Sequence, residues 1–250
     1  RRNGIRTAAD GGILIAYWLA FACYPLPPAD FDWAAVGIPA DWNHLTGFEA
    51  HWEKNANLAS AFDLWFLNLF PREAPFTFSS GGYHTLNFVP SLATMLFGLL
   101  AGEYLRGERP PYAKSGRLAV AGLVGVGGGL AWAATGLCPI VKRIWTPSWA
   151  IFSSGIVVLL LAGFVAIIEG RGWRRWTFPL VVAGLNPIAL YCMWQLSGSA
   201  VRGNLKTHLG PHVFEILGAS YAPILERLLV LLVLWLILLW MYRRKIFLRI

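Results

Sequence analysis

The sequence has 250 residues, 56% of them hydrophobic and 14% charged, with a formal net charge of +8. Soluble domains carry about 25% charged residues, so this balance excludes an ordinary water-soluble enzyme. The basic residues are spread along the chain instead of clustered on one stretch, which argues against a nucleic-acid partner.

In chain order, apolar stretches run near 5–24, 85–106, 118–137, 149–169, 178–198 and 224–242. Each approaches the roughly 20 residues that a helix needs to cross about 30 Å of hydrocarbon. Backbone groups find no water at that depth, so a helical bundle is the form such segments take. The expected fold is all-α: a polytopic membrane bundle of about six transmembrane helices, forming a single domain over 1–250.

An even number of spans puts both ends on one side. That side would hold Arg1, Arg2 and Arg6, then Arg106, Arg109, Lys114 and Arg117, then Arg171, Arg174 and Arg175, then Arg243, Arg244, Lys245 and Arg249. The other side would hold only Lys54, Arg72, Lys142, Arg143, Arg202 and Lys206, with Arg227 at the mouth of the last span. The positive-inside rule then puts both termini in the cytoplasm, in the inner (plasma) membrane, with anionic lipid headgroups as partners. The first residue is Arg and no signal peptide precedes the first apolar stretch.

The long outer segment, 25–84, collects most of the acids and three of the five histidines, His44, His51 and His84; His208 and His212 also fall on that face. Within it, Asn57 is placed to cap a helix that runs to about Phe70, ahead of Pro71. Leu58, Phe62, Trp65, Phe66 and Leu69 fall on one face of that helix, as expected of an interfacial helix lying on the membrane. The cysteines Cys23, Cys138 and Cys192 have no metal-site spacing. Cys23 and Cys138 fall at the same outer face, where a disulfide or separate thiols would fit, the second being favoured. No metal site is expected.

Gly98-x-x-x-Gly102 and Gly125-x-x-x-Gly129 are spaced for close helix approach. Asn186-Pro187, inside the fifth stretch, predicts either a kink or an opening lined by the amide. Charged residues are missing from span centres, which argues against an ion-coupled pump.

Two stretches could carry chemistry. In Gly81-Gly82-Tyr83-His84-Thr85-Leu86-Asn87, the paired glycines allow a tight turn. His84 then stands at the mouth of a span as a candidate general base, with Asn87 one helical turn deeper. In Cys138-Pro139-Ile140-Val141-Lys142-Arg143, two cations break the sidedness trend. Lys142 and Arg143 need a partner, which is either a carboxylate of the outer segment or an anionic ligand. No G-x-S-x-G, H-E-x-x-H or phosphate-binding glycine loop is present.

The strings GGYHTLNFVPSLATMLFGLLAGEYLR, CPIVKRIWTPSWAIFSSG and NPIALYCMWQ, with Asn57-Leu58-Ala59-Ser60-Ala61-Phe62-Asp63, resemble the bacterial branch of the heparan-α-glucosaminide N-acetyltransferase family. The likeness runs from the first span to the final Trp-Met-Tyr-Arg-Arg-Lys. It implies a multi-span acyltransferase that takes acetyl from acetyl-CoA and places it on an amino sugar at the non-cytoplasmic side. His84 and Asn87 are then the candidate catalytic residues, and Lys142, Arg143 and Asn186 the candidate cofactor-binding ones.

Two departures from the family stand out. Its further N-terminal spans, with their His…Trp…Gly segment, have no counterpart here, and Pro187 stands where relatives commonly have Ser. Either the N-terminal portion precedes this sequence, or the chain is a shortened relative without transferase activity. The competing expectation is a non-catalytic subunit or scaffold, packing as a homo-oligomer or in a larger membrane complex.

Overall fold

The computed structural model describes residues 2–210 and 212–248, with side chains described from residue 9 onward. Of the basic residues used for sidedness, Arg1 and Arg249 lie outside the described residues. All regular structure among the described residues is helical, and the chain forms two compact units, Arg1–Gly172 and Trp173–Ile250.

The first unit contains α1 (Arg2–Ala22), α2 (Leu58–Phe66), α3 (Phe88–Leu105), α4 (Pro111–Ala134) and α5 (Pro147–Phe164), the last continued by a π-helical turn, Val165–Gly170. The second contains α6 (Phe178–Gly184), α7 (Pro187–Leu209) and α8 (Ala222–Arg243). Among the described residues, four helical segments are long and apolar enough to cross a membrane: Thr85–Leu105, Pro111–Ala134, Pro147–Gly170 and Ala219–Arg243. Their outward faces are apolar, with Val124 69% exposed and Met95 70% exposed, as expected where lipid replaces water. This is a membrane protein.

The two remaining predicted spans take other forms. Among the described residues of α1, Ala9–Ala22 is a shorter apolar helix. Asp10 is buried inside α1, and among the described residues neither of its carboxylate oxygens has a hydrogen-bond partner. The fifth stretch is two helices, Arg175–Gly184 and Pro187–Leu209, bent by 68°. Pro187 has no N–H to continue the first helix, and Asn186 leaves helical backbone at φ −136°, ψ 53°. Similarly, α4 begins at Pro111, seven residues before the apolar stretch at 118, because proline at the first helical position starts a helix well.

α4 and α5 pack through glycine. A Cβ on Gly155 would stand 2.5 Å from the Val126 backbone nitrogen, and one on Gly125 would stand 2.9 Å from Gly155 Cα. Gly122 and Gly129 are equally tight against Leu159 and Phe152. By contrast, Gly98 and Gly102 on α3 meet nothing within 4 Å. Gly155→Leu is therefore expected to destabilise the bundle by about 1–3 kcal/mol or more, read as a lower melting temperature in detergent. Gly98→Leu in the same assay should be close to neutral.

At one end of the first unit, the 25–84 segment packs on Tyr17 and Phe21 of α1 through Trp52 and Ala59, and the α4–α5 loop through Cys138 and Ile144. Tyr17 donates to the Ile144 carbonyl at 3.0 Å and Trp18 Nε1 to the Leu137 carbonyl at 2.9 Å, fastening the α4–α5 loop to α1. The buried Glu53 gathers the outer segment by accepting from Trp42 Nε1 at 3.0 Å, Leu45 N at 2.6 Å and Lys54 N at 2.8 Å. These contacts make a fixed floor for the residues around His84.

Candidate functional site

α2 starts where Asn57 supplies a cap: its Oδ1 accepts the Ser60 N–H at 3.0 Å, and its Nδ2 donates to the Glu53 carbonyl at 2.7 Å. Ser60 and Asp63 are three residues apart, so their side chains share one face of the helix. The segment from Gly81 runs beside that face. Gly82 takes a left-handed backbone (φ +68°), the conformation glycine tolerates best, and turns the chain so that His84 points back at α2.

The outcome is a chain of three polar side chains. His84 Nδ1 lies 3.0 Å from Asp63 Oδ2, and His84 Nε2 lies 3.4 Å from Ser60 Oγ. The Thr85 backbone N–H donates to both Asp63 oxygens at 3.1 Å, which fixes the carboxylate. The side chains of His84 and Asp63 are 1% and 3% exposed, so the pair is shielded from bulk water.

Burial lowers the His84 pKa from its ordinary value of 6.5, against the opposing pull of Asp63 through a hydrogen bond and its charge. The imidazole is thus neutral at pH 7, its Nδ1–H donating to the carboxylate and its Nε2 bare on the side of Ser60. A neutral ring nitrogen beside a hydroxyl accepts a proton, and long separations of this kind shorten when substrate closes the site.

Ser60, His84 and Asn55 line a cavity of about 380 Å³, whose walls include Tyr24, Pro27, Phe31 and Phe76. The buried Asn55 donates Nδ2 to the Val36 and Ser79 carbonyls at 2.9 and 3.0 Å, while its Oδ1 has no partner. His44 and His51 serve the outer segment instead, with His44 Nδ1 3.5 Å from Glu53 and His51 Nδ1 2.9 Å from the Tyr24 carbonyl. His212 pairs with Glu215 in the second unit.

The other residues singled out from the sequence are placed as follows. Asn87 Nδ2 donates to the Arg143 carbonyl at 2.6 Å, leaving its buried Oδ1 without a partner. It therefore ties the His84 segment to the Lys142–Arg143 loop. That loop is set by Thr146, which accepts from Val141 N at 3.1 Å and donates to the Pro139 carbonyl at 2.7 Å.

Lys142 and Arg143 are exposed, and among the described residues no carboxylate lies within ion-pairing distance of either. The expected salt bridge to the acidic outer segment is not formed. The aliphatic parts of Arg143 and Lys54 flank Gly82.

Asn186 belongs to the second unit. It is fully buried, donating Nδ2 to the Ile246 carbonyl at 3.0 Å and accepting the Leu248 N–H at 2.8 Å. Its amide closes the break before α7 with the backbone near the C-terminus, so the kink is the part of the expectation that is realised.

All three cysteines are free. Cys138 is buried and burial pushes its thiol pKa up, the condition of an unreactive thiol. Among the described residues, no cluster of three or more His, Cys, Asp or Glu is placed to hold a metal ion.

Sequence reasoning found His84 but not its partners. Asp63 and Ser60 lie 21 and 24 residues before it, at no motif spacing. The available signal was their own i, i+3 relation directly after a capping Asn57. No family model, curated protein or solved structure matches the chain.

Proposed function

We propose that the chain is a membrane acyltransferase resembling the heparan-α-glucosaminide N-acetyltransferases, moving acetyl from acetyl-CoA to an amino sugar on the non-cytoplasmic face. The observation that carries this reading is the His84 ring, held through Nδ1 by Asp63 with its Nε2 3.4 Å from Ser60 Oγ, at the wall of a cavity. An amine that attacks a thioester must lose a proton, and a fixed neutral imidazole is a suitable acceptor for it. Asn55, which lines the same cavity and whose Oδ1 has no partner among the described residues, suits an N–H or O–H donor of an amino sugar.

In this reading α1 and the bent α6–α7 pair complete about six crossings of the inner membrane. The basic residues near the ends of α3, α4 and α8 face the cytoplasm, and α2 lies along the outer interface. The exposure of Trp65, Leu69 and Phe70 supports that position for α2.

Lys142 and Arg143, exposed and without carboxylate partners, supply the anion-binding part of the site, with the phosphates of CoA as the ligand. Losing charge-assisted contacts at roughly 1.5–3 kcal/mol each, Lys142→Ala combined with Arg143→Ala is expected to weaken CoA binding at least tenfold. Isothermal titration of the purified protein measures it. Unchanged binding would remove the two cations from the site.

The competing reading, a non-catalytic subunit of a larger membrane complex, draws on the open Gly98–Gly102 face of α3. An acetylation assay with amino-sugar acceptors in proteoliposomes separates the two. Acceptor-dependent release of CoA that is lost in His84→Ala supports the enzyme, and its absence supports the scaffold.

A further inference from the structure

We infer that Ser60 is the nucleophile of this site and carries the acyl group as a covalent ester between donor and acceptor. This rests on the acyl-transfer reading and extends it, since a general base alone would serve direct transfer with no enzyme-bound ester.

Three observations bear on Ser60. Its Oγ is 3.4 Å from His84 Nε2, and His84 Nδ1 is 3.0 Å from Asp63 Oδ2, so hydroxyl, imidazole and carboxylate follow in the order that activates a serine. Ser60 and Asp63 are also immobilised from outside the chain of three. The Ser60 backbone is held by Asn57 at 3.0 Å, and both Asp63 oxygens are held by the Thr85 N–H at 3.1 Å. The third observation is the cavity itself, which Ser60 and His84 line together with Asn55, whose buried Oδ1 has no hydrogen-bond partner among the described residues. A buried acceptor without a donor marks a place for a ligand N–H or O–H. Ser60 also lies in the first turn of α2, where the positive end of the helix favours charge developing on a carbonyl oxygen.

The chemistry balances with an acyl thioester as donor and an amine or hydroxyl as acceptor. Ser60 Oγ bonds to the carbonyl carbon as its proton passes to His84 Nε2, and the carbonyl electron pair moves to oxygen. When that intermediate collapses, the carbon–sulfur bond breaks and the thiolate leaves with the proton from Nε2. The acceptor then attacks the ester, gives its proton to Nε2, and Ser60 Oγ recovers that proton as the ester bond breaks. One acyl group is transferred and nothing is oxidised or reduced. Asp63 is a positioning residue, its carboxylate hydrogen-bonded to the imidazole and the Thr85 amide.

A purely structural role for Ser60 would have its hydroxyl donate to Asn57 Oδ1, 3.3 Å away, as part of the helix cap. The test uses the whole chain in detergent with a biotin-tagged fluorophosphonate, which loses fluoride to an activated serine. The expected result is one labelled peptide containing Ser60, no label in Ser60→Ala, and labelling slowed about 100-fold or more in His84→Gln. Ser60→Ala keeps the backbone N–H that the cap uses, so its melting temperature should stay near that of the wild type, verifying that lost labelling is chemical. Absence of wild-type labelling, or equal labelling of Ser60→Ala, overturns the proposal.

Acetyl transfer measured on the same preparations separates this failure from failure of the broader reading. Ser60→Ala with wild-type turnover, beside an inactive His84→Gln, removes the covalent step and leaves direct transfer. Wild-type turnover in both variants removes both.

Discussion

His84→Ala is expected to lower acetyl-transfer turnover by about 10²–10⁴ while leaving CoA affinity within a few-fold of the wild type. The ring joins a fixed carboxylate to a nitrogen beside Ser60, so its loss removes the proton acceptor and leaves the cations 142 and 143 in place. His84→Gln keeps a side chain able to hydrogen-bond Asp63 but offers no basic nitrogen, and should be almost as inactive.

The pH dependence adds a second readout. Burial lowers the His84 pKa below 6.5, so the folded protein takes up this proton less readily than the unfolded chain does. Stability and activity contributed by the neutral ring are therefore present above the ordinary histidine pKa. Stability declines as pH falls below about 6.5, and activity as pH passes through the depressed folded value. Asp63 is the charged group facing the ring, with Lys54 and Arg143 beside the neighbouring Gly82. An acid limb with a midpoint below 6.5 is expected in kcat/KM for the wild type, and should be absent from the residual activity of His84→Gln. A wild-type acid limb that persists unchanged in His84→Gln would show that the titrating group is not His84.

The helices were legible in the sequence wherever local chemistry acts alone. The Asn57 cap, the turn at Gly81–Gly82 and the apolar runs of α3, α5 and α8 all follow from residue type and spacing. Helix limits were less so, because hydropathy marks where lipid suits the side chains, not where the backbone starts to coil. Pro111 begins α4 well before its apolar run, and α7 continues to Leu209 through Arg202, Lys206 and His208.

The 68° break at Asn186–Pro187 could be expected as a kink, but its partner was invisible: the Asn186 amide is completed by Ile246 and Leu248, about 60 residues away. The site divides in the same way. His84 stood out from its place between a glycine turn and an apolar run, whereas the role proposed for Lys142 and Arg143 rests on the charge pattern of the sequence. Ser60 and Asp63 became candidates only when folding laid α2 against the His84 segment, a contact that no local rule encodes.

Asp63→Asn should be the most informative single change at the site, with turnover falling by about 10³–10⁴ at little cost in stability. The substitution is nearly isosteric at a side chain only 3% exposed, and its remaining oxygen can still accept the Thr85 N–H. Its amide nitrogen, however, donates and cannot accept the Nδ1–H of His84. The ring must either lose that bond or move its proton to Nε2, which would then point a donor at Ser60 where an acceptor is required. Asp63→Ala removes the Thr85 anchor at the start of α3 as well. With buried hydrogen bonds to a charged group worth roughly 1.5–3 kcal/mol each, it should melt several degrees lower than Asp63→Asn while being no less impaired in turnover. Imidazole ¹⁵N chemical shifts of the labelled protein report the tautomer directly: a protonated Nδ1 in the wild type, a protonated Nε2 in Asp63→Asn. Wild-type turnover in Asp63→Asn with an unchanged tautomer would show that the carboxylate does not orient His84, and the neutral-base reading of the site would fall with it.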